Sequence, residues 1–268
     1  MMKKYISNEI LDHGLGSKIL KIINLIGYTL YLKSIGHDVE FVYTPLGYEG
    51  YGKNFQLNQL FLYWPHKIKN LRLDYIELCE RWESMINYKG LKSYDVNVED
   101  IEFLIHPALS GETSEIIFNE IRKRKNEIID LLSLPKKTKE KECVSISIHI
   151  RRGDVNKNSH LDRFSDDSYY LEIIDILKKK YEDKCEITIY SQRNGFNISN
   201  FKDYNIIFDD ESLDNEIWLK LFHSDILVMS KSAFSYSAGM LSNGIVIYED
   251  MFHPKLYDWI YKKDIENL

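Results

Sequence analysis

The stretch VSISIHIRRGDV, residues 144–155, joins a strand pattern to a cationic turn. Successive side chains of a β-strand point to opposite faces, so the valine and the three isoleucines at its start share one face. His149 and Arg151 then share the other face, where the strand ends. The pattern predicts a buried strand that delivers an imidazole and a guanidinium to the same place.

Short apolar runs alternate with helical patterns from this stretch to the end of the chain. The predicted strands are 144–150, 186–191, 205–208, 225–230 and 245–248, and the predicted helices are 168–182, 212–222 and 233–242. Such alternation is typical of a parallel sheet with helices on both faces. We therefore predict an α/β fold whose second part is a doubly wound parallel sheet.

The amino-terminal part has the pattern of one βαβ unit. A strand at 3–7, the turn DHGLGS at 12–17, an apolar helix from about Lys18 to Ser34 and a strand at 39–43 follow one another. Further helical patterns lie near 71–86 and 111–133, and the pattern assigns no sheet order to this segment.

A charged stretch separates the two parts of the chain. It is LPKKTKEKE, residues 134–142, and it contains Pro135. Charged segments with proline are typical of linkers. We predict a domain of residues 1–140 and a second domain of residues 141–268.

Composition excludes several classes of protein. With 268 residues, 44% of them hydrophobic, the chain can bury a sizeable core. Its net charge of -6 argues against nucleic acid as a partner, because phosphate backbones select strongly basic faces. The sequence has neither a signal-peptide pattern nor an apolar run of membrane-spanning length, and its three cysteines are scattered without CxxC spacing. We predict a cytoplasmic protein without a membrane span.

The segment RRGD follows a strand end, which is where doubly wound sheets bind their ligands. Arginine offers a fork of donors that matches phosphate oxygens, and glycine lets the chain turn close to a ligand. Asp154 can hold an arginine in place. The segment therefore predicts a phosphate site, and solvated charges at a strand end are the alternative.

The segment SKSAFSYSAGML, residues 230–241, offers a second place for an anion. Ser230 or Ser232 lies where an N-cap would begin the helix, and the amino end of a helix directs N–H groups and a positive dipole at its surroundings. Ala233 and Phe234 would form the first turn. A capped helix without a ligand is the alternative.

Three motifs together resemble those of a known family. HIRRGD resembles the HxRRGD motif of the α1,2-, α1,6- and protein O-fucosyltransferases, DHGLGSKI is similar to their glycine-rich GxxGN turn, and SKSAFSYSAGML is similar to their SSFSWWAA-type segment. The chain departs from this pattern at Ser17, where the family often has asparagine, and at Tyr236 and Ser237, where α1,2 enzymes often have tryptophans. The resemblance is loose between about residues 45 and 135.

The resemblance implies a GT-B-like fold, in which two Rossmann-like domains face a cleft. It implies an inverting, metal-independent glycosyltransferase that moves fucose from GDP-fucose to a hydroxyl of a glycan or glycoconjugate, without a cofactor. UDP and dTDP sugars stay open as donors, because arginines recognise phosphates and these nucleotides share them. We expect the donor to bind after residue 142, with only the turn Gly14–Ser17 reaching it from the first domain, which supplies the acceptor surface.

The resemblance also implies roles for single residues. Arg151 grips the diphosphate with His149 beside it, and Arg152 and Asp154 support the loop. An acid that recognises guanine is expected near Asp214 or Glu216. The predicted donor-binding residues are Arg152, Asp154, Gly14, Gly16, Ser17, Ser230, Ser232, Ala233, Phe234, Asp214 and Glu216.

Two groups of residues have competing interpretations. Asp12 and His13 are candidates for a catalytic base, and ordinary turn chemistry is the alternative. The pairs Asp209-Asp210 and Asp166-Asp167 could imitate a metal-binding DxD motif, but acidic pairs in turns are usually solvated. We predict no metal site.

Two other functions are compatible with the sequence. One is a nucleotide-sugar-binding protein without catalysis, because binding and catalytic groups overlap. The other is an adhesion module, because residues 152–154 spell RGD. Adhesion of that kind needs an exposed, flexible loop, whereas this tripeptide directly continues an apolar strand.

Overall fold

The computed structural model describes residues 4–7, 14–42, 103–105, 112–132, 134–137, 143–212 and 214–267. The helix predicted at 71–86 and the base candidates Asp12 and His13 lie outside these residues. The chain divides into two compact units, one of Met1–Gly14 and Lys21–Leu134, the other of Leu15–Leu20 and Pro135–Leu268. The domain boundary predicted after residue 140 falls among residues that are not described, so it stays a prediction.

The first unit contains a parallel sheet of three described strands. They are β1 (Lys4–Ser7), β2 (Val39–Val42) and β3 (Phe103–Ile105), in the order β2-β1-β3. Helix α1 (Leu15–Ser34) connects β1 to its parallel neighbour β2, so the predicted βαβ unit is confirmed. Its isoleucines at positions 19, 22, 23 and 26 are almost fully buried, as the spacing of one helix face requires.

Two predictions about helices in this part need correction. The helical pattern at 111–133 forms two helices, α2 (Glu112–Lys123) and α3 (Lys125–Leu131), because the backbone of Arg124 leaves the helical conformation between them. The last three residues of the turn predicted at 12–17 belong to α1, which begins at Leu15. Gly16 and Ser17 therefore belong to a helix.

The second unit contains a six-stranded sheet in which all neighbouring strands are parallel. The strands are β4 (Val144–Ile150), β5 (Cys185–Ser191), β6 (Asn205–Phe208), β7 (Ile226–Val228), β8 (Ile245–Tyr248) and β9 (Ile260–Tyr261). Their order is β6-β5-β4-β7-β8-β9, so the chain builds outward from β4 in one direction and then from β7 in the other. The predicted α/β class and the doubly wound parallel sheet are confirmed. The two-residue strand β9 was not predicted.

Helices cover both faces of this sheet. They are α4 (Asp167–Tyr181), α5 (Asp214–His223) and α6 (Ala233–Leu241). The isoleucines of β4 pack with buried isoleucine and leucine side chains of α4, as the alternation in the opening stretch predicts. On the other face, the Ser147 hydroxyl donates to the carbonyl of Lys220 in α5, at 3.5 Å.

The order of the strands brings two sequence motifs to one place. β4 and β7 are hydrogen-bonded neighbours, with Ile148 opposite Val228, and both strands run in the same direction. RRGD follows β4 and the serine-rich segment follows β7, so both lie at the carboxyl edge of the sheet where the strand order reverses. Open α/β sheets bind ligands at this position.

Candidate functional site

Arg151 is a partly exposed cation of the candidate site. Its guanidinium forms a bidentate pair with Asp154, with distances to the carboxylate oxygens of 3.0 Å from Nε and of 2.6 and 2.8 Å from Nη2. The Arg151 side chain keeps 30% of its surface exposed. The pair engages Nε and Nη2, and Nη1 with its two N–H donors is not part of it. Asp154 thus orients the guanidinium while one edge stays outside the pair.

Arg152 points the opposite way and is buried. Its guanidinium donates to the carbonyl of Arg151 at 2.7 Å and to that of Ser165 at 3.0 Å, and it forms an ion pair with Asp167 at the start of α4. It also lies over the ring of Phe164, 4.7 Å from the centroid. Only 3% of its side chain is exposed. Arg152 therefore braces the turn, and in this conformation its charge does not face a ligand.

The turn after these arginines depends on Gly153. Its φ of 76° lies in the left-handed region, which is costly for residues with a Cβ. Its N–H donates to the carbonyl of Asn194 at 2.9 Å, and the Arg152 N–H donates to the side-chain oxygen of Gln192 at 2.8 Å. These bonds tie the turn to the segment that follows β5.

His149 is buried at the carboxyl end of β4, on the same face as Arg151. It is 3% exposed, its Nδ1 lies 2.8 Å from Oγ of Ser230, and its ring packs near that of Phe234 with centroids 5.4 Å apart. Burial, assisted by the positive charge of Arg151, lowers the pKa of His149 to about 3. The imidazole is therefore uncharged at neutral pH.

This burial predicts a pH effect on stability. The folded imidazole stays neutral, whereas the unfolded one takes up a proton below pH 6.5, so acid favours the unfolded chain. Between pH 7 and pH 5 the free energy of unfolding should fall by about 2 kcal/mol more in the parent protein than in a His149→Asn variant. Urea unfolding of both proteins measures this difference, because other titrating groups contribute to both. Parallel pH curves would contradict the burial of a neutral His149.

The serine-rich segment begins helix α6. The Ser232 hydroxyl accepts from the N–H of Phe234 at 3.3 Å, so Ser232 is the N-cap. Ser230 instead lies deeper, 1% exposed, and bonds to His149 and Ser235. The structure thus decides between the two serines that the sequence left open as caps.

The amino ends of α1 and α6 meet in the second unit. A Cβ added to Gly16 would lie 2.4 Å from the backbone nitrogen of Phe234, so only glycine permits this approach. The first turn of neither helix contains an acidic residue. Two positive helix ends therefore lie close together, which favours an anion nearby. Gly14, the N-cap of α1, is exposed and Ser17 is half-buried.

Glu249 lies at the same edge of the sheet as the candidate site, and sequence reasoning missed it. It directly follows β8, accepts from the Ser165 hydroxyl at 2.5 Å, and lies 3.3 Å from Nζ of Lys231. Both Glu249 and Lys231 are about four-fifths buried. The signal that could have found Glu249 is its position after the predicted strand IVIY, at the same edge as RRGD.

The guanine-recognising acids stay predictions. Asp214 is buried in the first turn of α5, whereas Glu216 is exposed and accepts from the Ser212 hydroxyl at 3.0 Å. This contact is local to the start of the helix. Asp214 is thus the one of the two whose burial is unusual for an acid.

Three of the four acids in the two acidic pairs contact cations. Asp210 pairs with Arg193, at 2.8 Å from Nε, and this contact lowers the pKa of Asp210. Asp166 pairs with Lys157 at 2.6 Å, and Asp167 pairs with Arg152. Across the described part of the chain, no group of three or more His, Cys, Asp and Glu side chains could hold a metal ion.

Comparisons with known proteins give a distant likeness only. No protein-family model matches this sequence, and no curated protein matches it either. Among solved structures, E. coli heptosyltransferase WaaC with ADP-2-deoxy-2-fluoro heptose has a TM-score of 0.46, with 97% of this chain and 92% of that chain covered. E. coli ADP-heptose lps heptosyltransferase II has a TM-score of 0.41, with 96% and 87% covered. POFUT1 in complex with GDP has a TM-score of 0.43, with 90% and 96% covered, and each of the three is 10% identical to this chain.

Among the described residues, no helix is both long and apolar enough to cross a membrane.

Proposed function

We propose that this chain is a glycosyltransferase whose donor is a nucleoside-diphosphate sugar. The observation that carries the proposal is the guanidinium of Arg151, oriented by Asp154 at the carboxyl edge where the strand order reverses. The amino end of α6 lies at the same edge, and Gly16 brings the amino end of α1 to it. A diphosphate is an anion that suits a fixed guanidinium and converging helix N–H groups.

These groups suit the charge that develops during transfer. The bond between sugar C1 and the β-phosphate oxygen breaks, and the departing diphosphate keeps the electron pair. Preorganised donors aimed at such charge typically lower a barrier by about 3 kcal/mol each. Arg151 can be a donor of this kind, because it is partly exposed and Asp154 holds it in one orientation.

The acceptor completes the reaction from the other side of the sugar. A hydroxyl oxygen of a glycan or glycoconjugate bonds to C1 as the diphosphate leaves, and the configuration at C1 inverts. The hydroxyl proton passes to a base. Asp12 and His13 stay the proposed bases, and they lie outside the described residues.

Fucose and GDP are the favoured parts of the donor because of the three sequence motifs that resemble fucosyltransferases. Arg151 recognises phosphates, which all nucleoside diphosphates share. The base must therefore be chosen elsewhere, and buried Asp214 is the proposed acid for that task.

Binding of nucleoside diphosphates tests this proposal. The unfolding temperature should rise with one or more of GDP, ADP, UDP and dTDP, because a ligand at 100 times its Kd stabilises by about 2.7 kcal/mol. The Arg151→Ala variant should show no such rise. A measurement of sugar transfer then distinguishes an enzyme from a protein that only binds the nucleotide sugar. If all four nucleotides leave the parent protein unchanged, the proposal is wrong.

Adhesion through the RGD tripeptide conflicts with the burial of Arg152, which is the first residue of that tripeptide. Arg152 is 2% exposed and bonds to Ser165 and Asp167, so the RGD tripeptide does not present its arginine to a partner. An integrin-type contact would require this turn to unfold.

We also predict that transfer needs no metal ion. Three of the four acids that could imitate a DxD motif, Asp210, Asp166 and Asp167, are paired with Arg193, Lys157 and Arg152, whereas Arg151 can neutralise the leaving group. The transfer rate should therefore stay unchanged in excess EDTA. A loss that Mn²⁺ or Mg²⁺ restores would instead assign the charge neutralisation to a metal.

A further inference from the structure

The buried serine Ser230 contacts His149. The distance from Ser230 Oγ to His149 Nδ1 is 2.8 Å, and the two residues are 1% and 3% exposed. They belong to neighbouring strand ends on the two sides of the strand-order reversal. A contact this short and this buried is a hydrogen bond in which one of the two atoms donates, because an unsatisfied donor or acceptor would cost free energy here.

The surroundings of Ser230 indicate the direction of this hydrogen bond. Ser235 Oγ donates to the carbonyl of Ser230 or Ser232, at 3.3 and 3.4 Å, and accepts from the Ser230 N–H at 3.3 Å. If His149 donated to Ser230, the Ser230 hydroxyl would have to donate to Ser235 Oγ at 3.5 Å. Donation from Ser230 to Nδ1 at 2.8 Å is the better bond.

The direction of the bond sets the state of the ring. A neutral imidazole has one N–H and one acceptor nitrogen, so an acceptor at Nδ1 places the hydrogen on Nε2. Within the described part of the chain, no hydrogen-bond partner of Nε2 is found. The ring therefore retains one N–H donor for a ligand at this edge of the sheet.

We propose that Ser230 is a positioning residue that holds His149 as the neutral Nε2–H tautomer, which donates a hydrogen bond to the bound diphosphate. This inference rests on the proposed function for the identity of the ligand. His149 then stabilises the leaving group as an uncharged donor and transfers no proton. The role differs from that of a general acid, which would have to be protonated before the bond to the sugar breaks.

Nitrogen NMR of the full chain with ¹⁵N-labelled histidine tests the tautomer without any ligand. The His149 signals, identified by their loss in His149→Asn, should show an unprotonated Nδ1 and a protonated Nε2. In Ser230→Ala the ring should become a mixture of tautomers, and in Ser230→Thr, which retains a hydroxyl, the parent pattern should return. Ser232→Ala is the matched control, because the Ser232 hydroxyl caps α6, whereas the hydroxyl that bonds to His149 is that of Ser230. A protonated Nδ1 in the parent protein overturns the inference, whether or not the variants fold.

Addition of GDP then tests the role of the donor. GDP should shift the Nε2 signal and leave Nδ1 unprotonated, and its affinity should fall about tenfold in Ser230→Ala, as the loss of a hydrogen bond to a charged group predicts. GDP that binds without moving the Nε2 signal overturns the contact with the diphosphate. If the tautomer is as expected but none of the four nucleoside diphosphates binds, the proposed function fails and the diphosphate contact fails with it, while the Ser230–His149 assignment stands.

Discussion

Replacement of Arg151 by alanine is expected to abolish transfer and to leave the fold intact. The side chain is 30% exposed and its described partner, Asp154, is 57% exposed, so the carboxylate left behind is solvated. Stability should change by less than about 0.5 kcal/mol, as for other surface positions. Transfer should fall at least about 100-fold, because the leaving diphosphate loses a preorganised donor. Arg151→Lys should not restore it, since an ammonium lacks the bidentate fork.

Steady-state rates and urea unfolding of the two variants check this prediction. Arg124→Ala is a matched control, because Arg124 has the same 30% exposure and also pairs with nearby carboxylates, those of Glu120 and Glu127. It should transfer sugar at the parental rate. Equal losses of activity in the Arg151 and Arg124 variants would remove Arg151 from the site.

Replacement of Arg152 by alanine is expected to cause a large loss of stability and a smaller loss of transfer than replacement of Arg151. The guanidinium is buried, and its removal leaves Asp167 without its cation and the carbonyls of Arg151 and Ser165 without a donor. Breaking a buried ion pair by removing one partner typically costs about 3–5 kcal/mol. Per folded molecule, transfer should fall less than in Arg151→Ala, because the charge of Arg152 is directed at α4 and not at the ligand.

Denaturant unfolding of Arg152→Ala measures this loss. Arg193→Ala is its control, because Arg193 also follows a strand of the sheet and also pairs with acids, but the pair is exposed. Its stability should scarcely change, since exposed ion pairs contribute little. An Arg152→Ala variant as stable as the Arg193→Ala variant would show that the buried pair does not brace the turn.

The periodicity of strand β4 predicts that Arg151 and Arg152 lie on opposite sides of the sheet. Alternation along β4 predicts that its isoleucines share one face, and it continues past the strand end, so Arg152 falls on the side of α4 and Arg151 on the side of His149. These conclusions need only the two-residue period of a strand and the polarity of each side chain. The same reasoning predicted the parallel sheet from the alternation of strands and helices.

The partners of these residues depend on the strand order, which local periodicity does not contain. Only the adjacency of β4 and β7 places Ser230 beside His149, 81 residues apart in the chain. Only the packing of α1 against α6 explains why position 16 must be glycine, since a Cβ there would meet the backbone of Phe234. Glu249 joins the site because β8 ends at the same edge.

The sequence by itself thus determined the class of the fold and the edge at which a cationic site forms, because both follow from patterns a few residues long. The tertiary structure decided which serine caps the helix, which group faces His149 and why position 16 is glycine. These outcomes depend on contacts between segments distant in the chain, and the free energy of such contacts comes from burial and hydrogen bonding after the strands have taken their order.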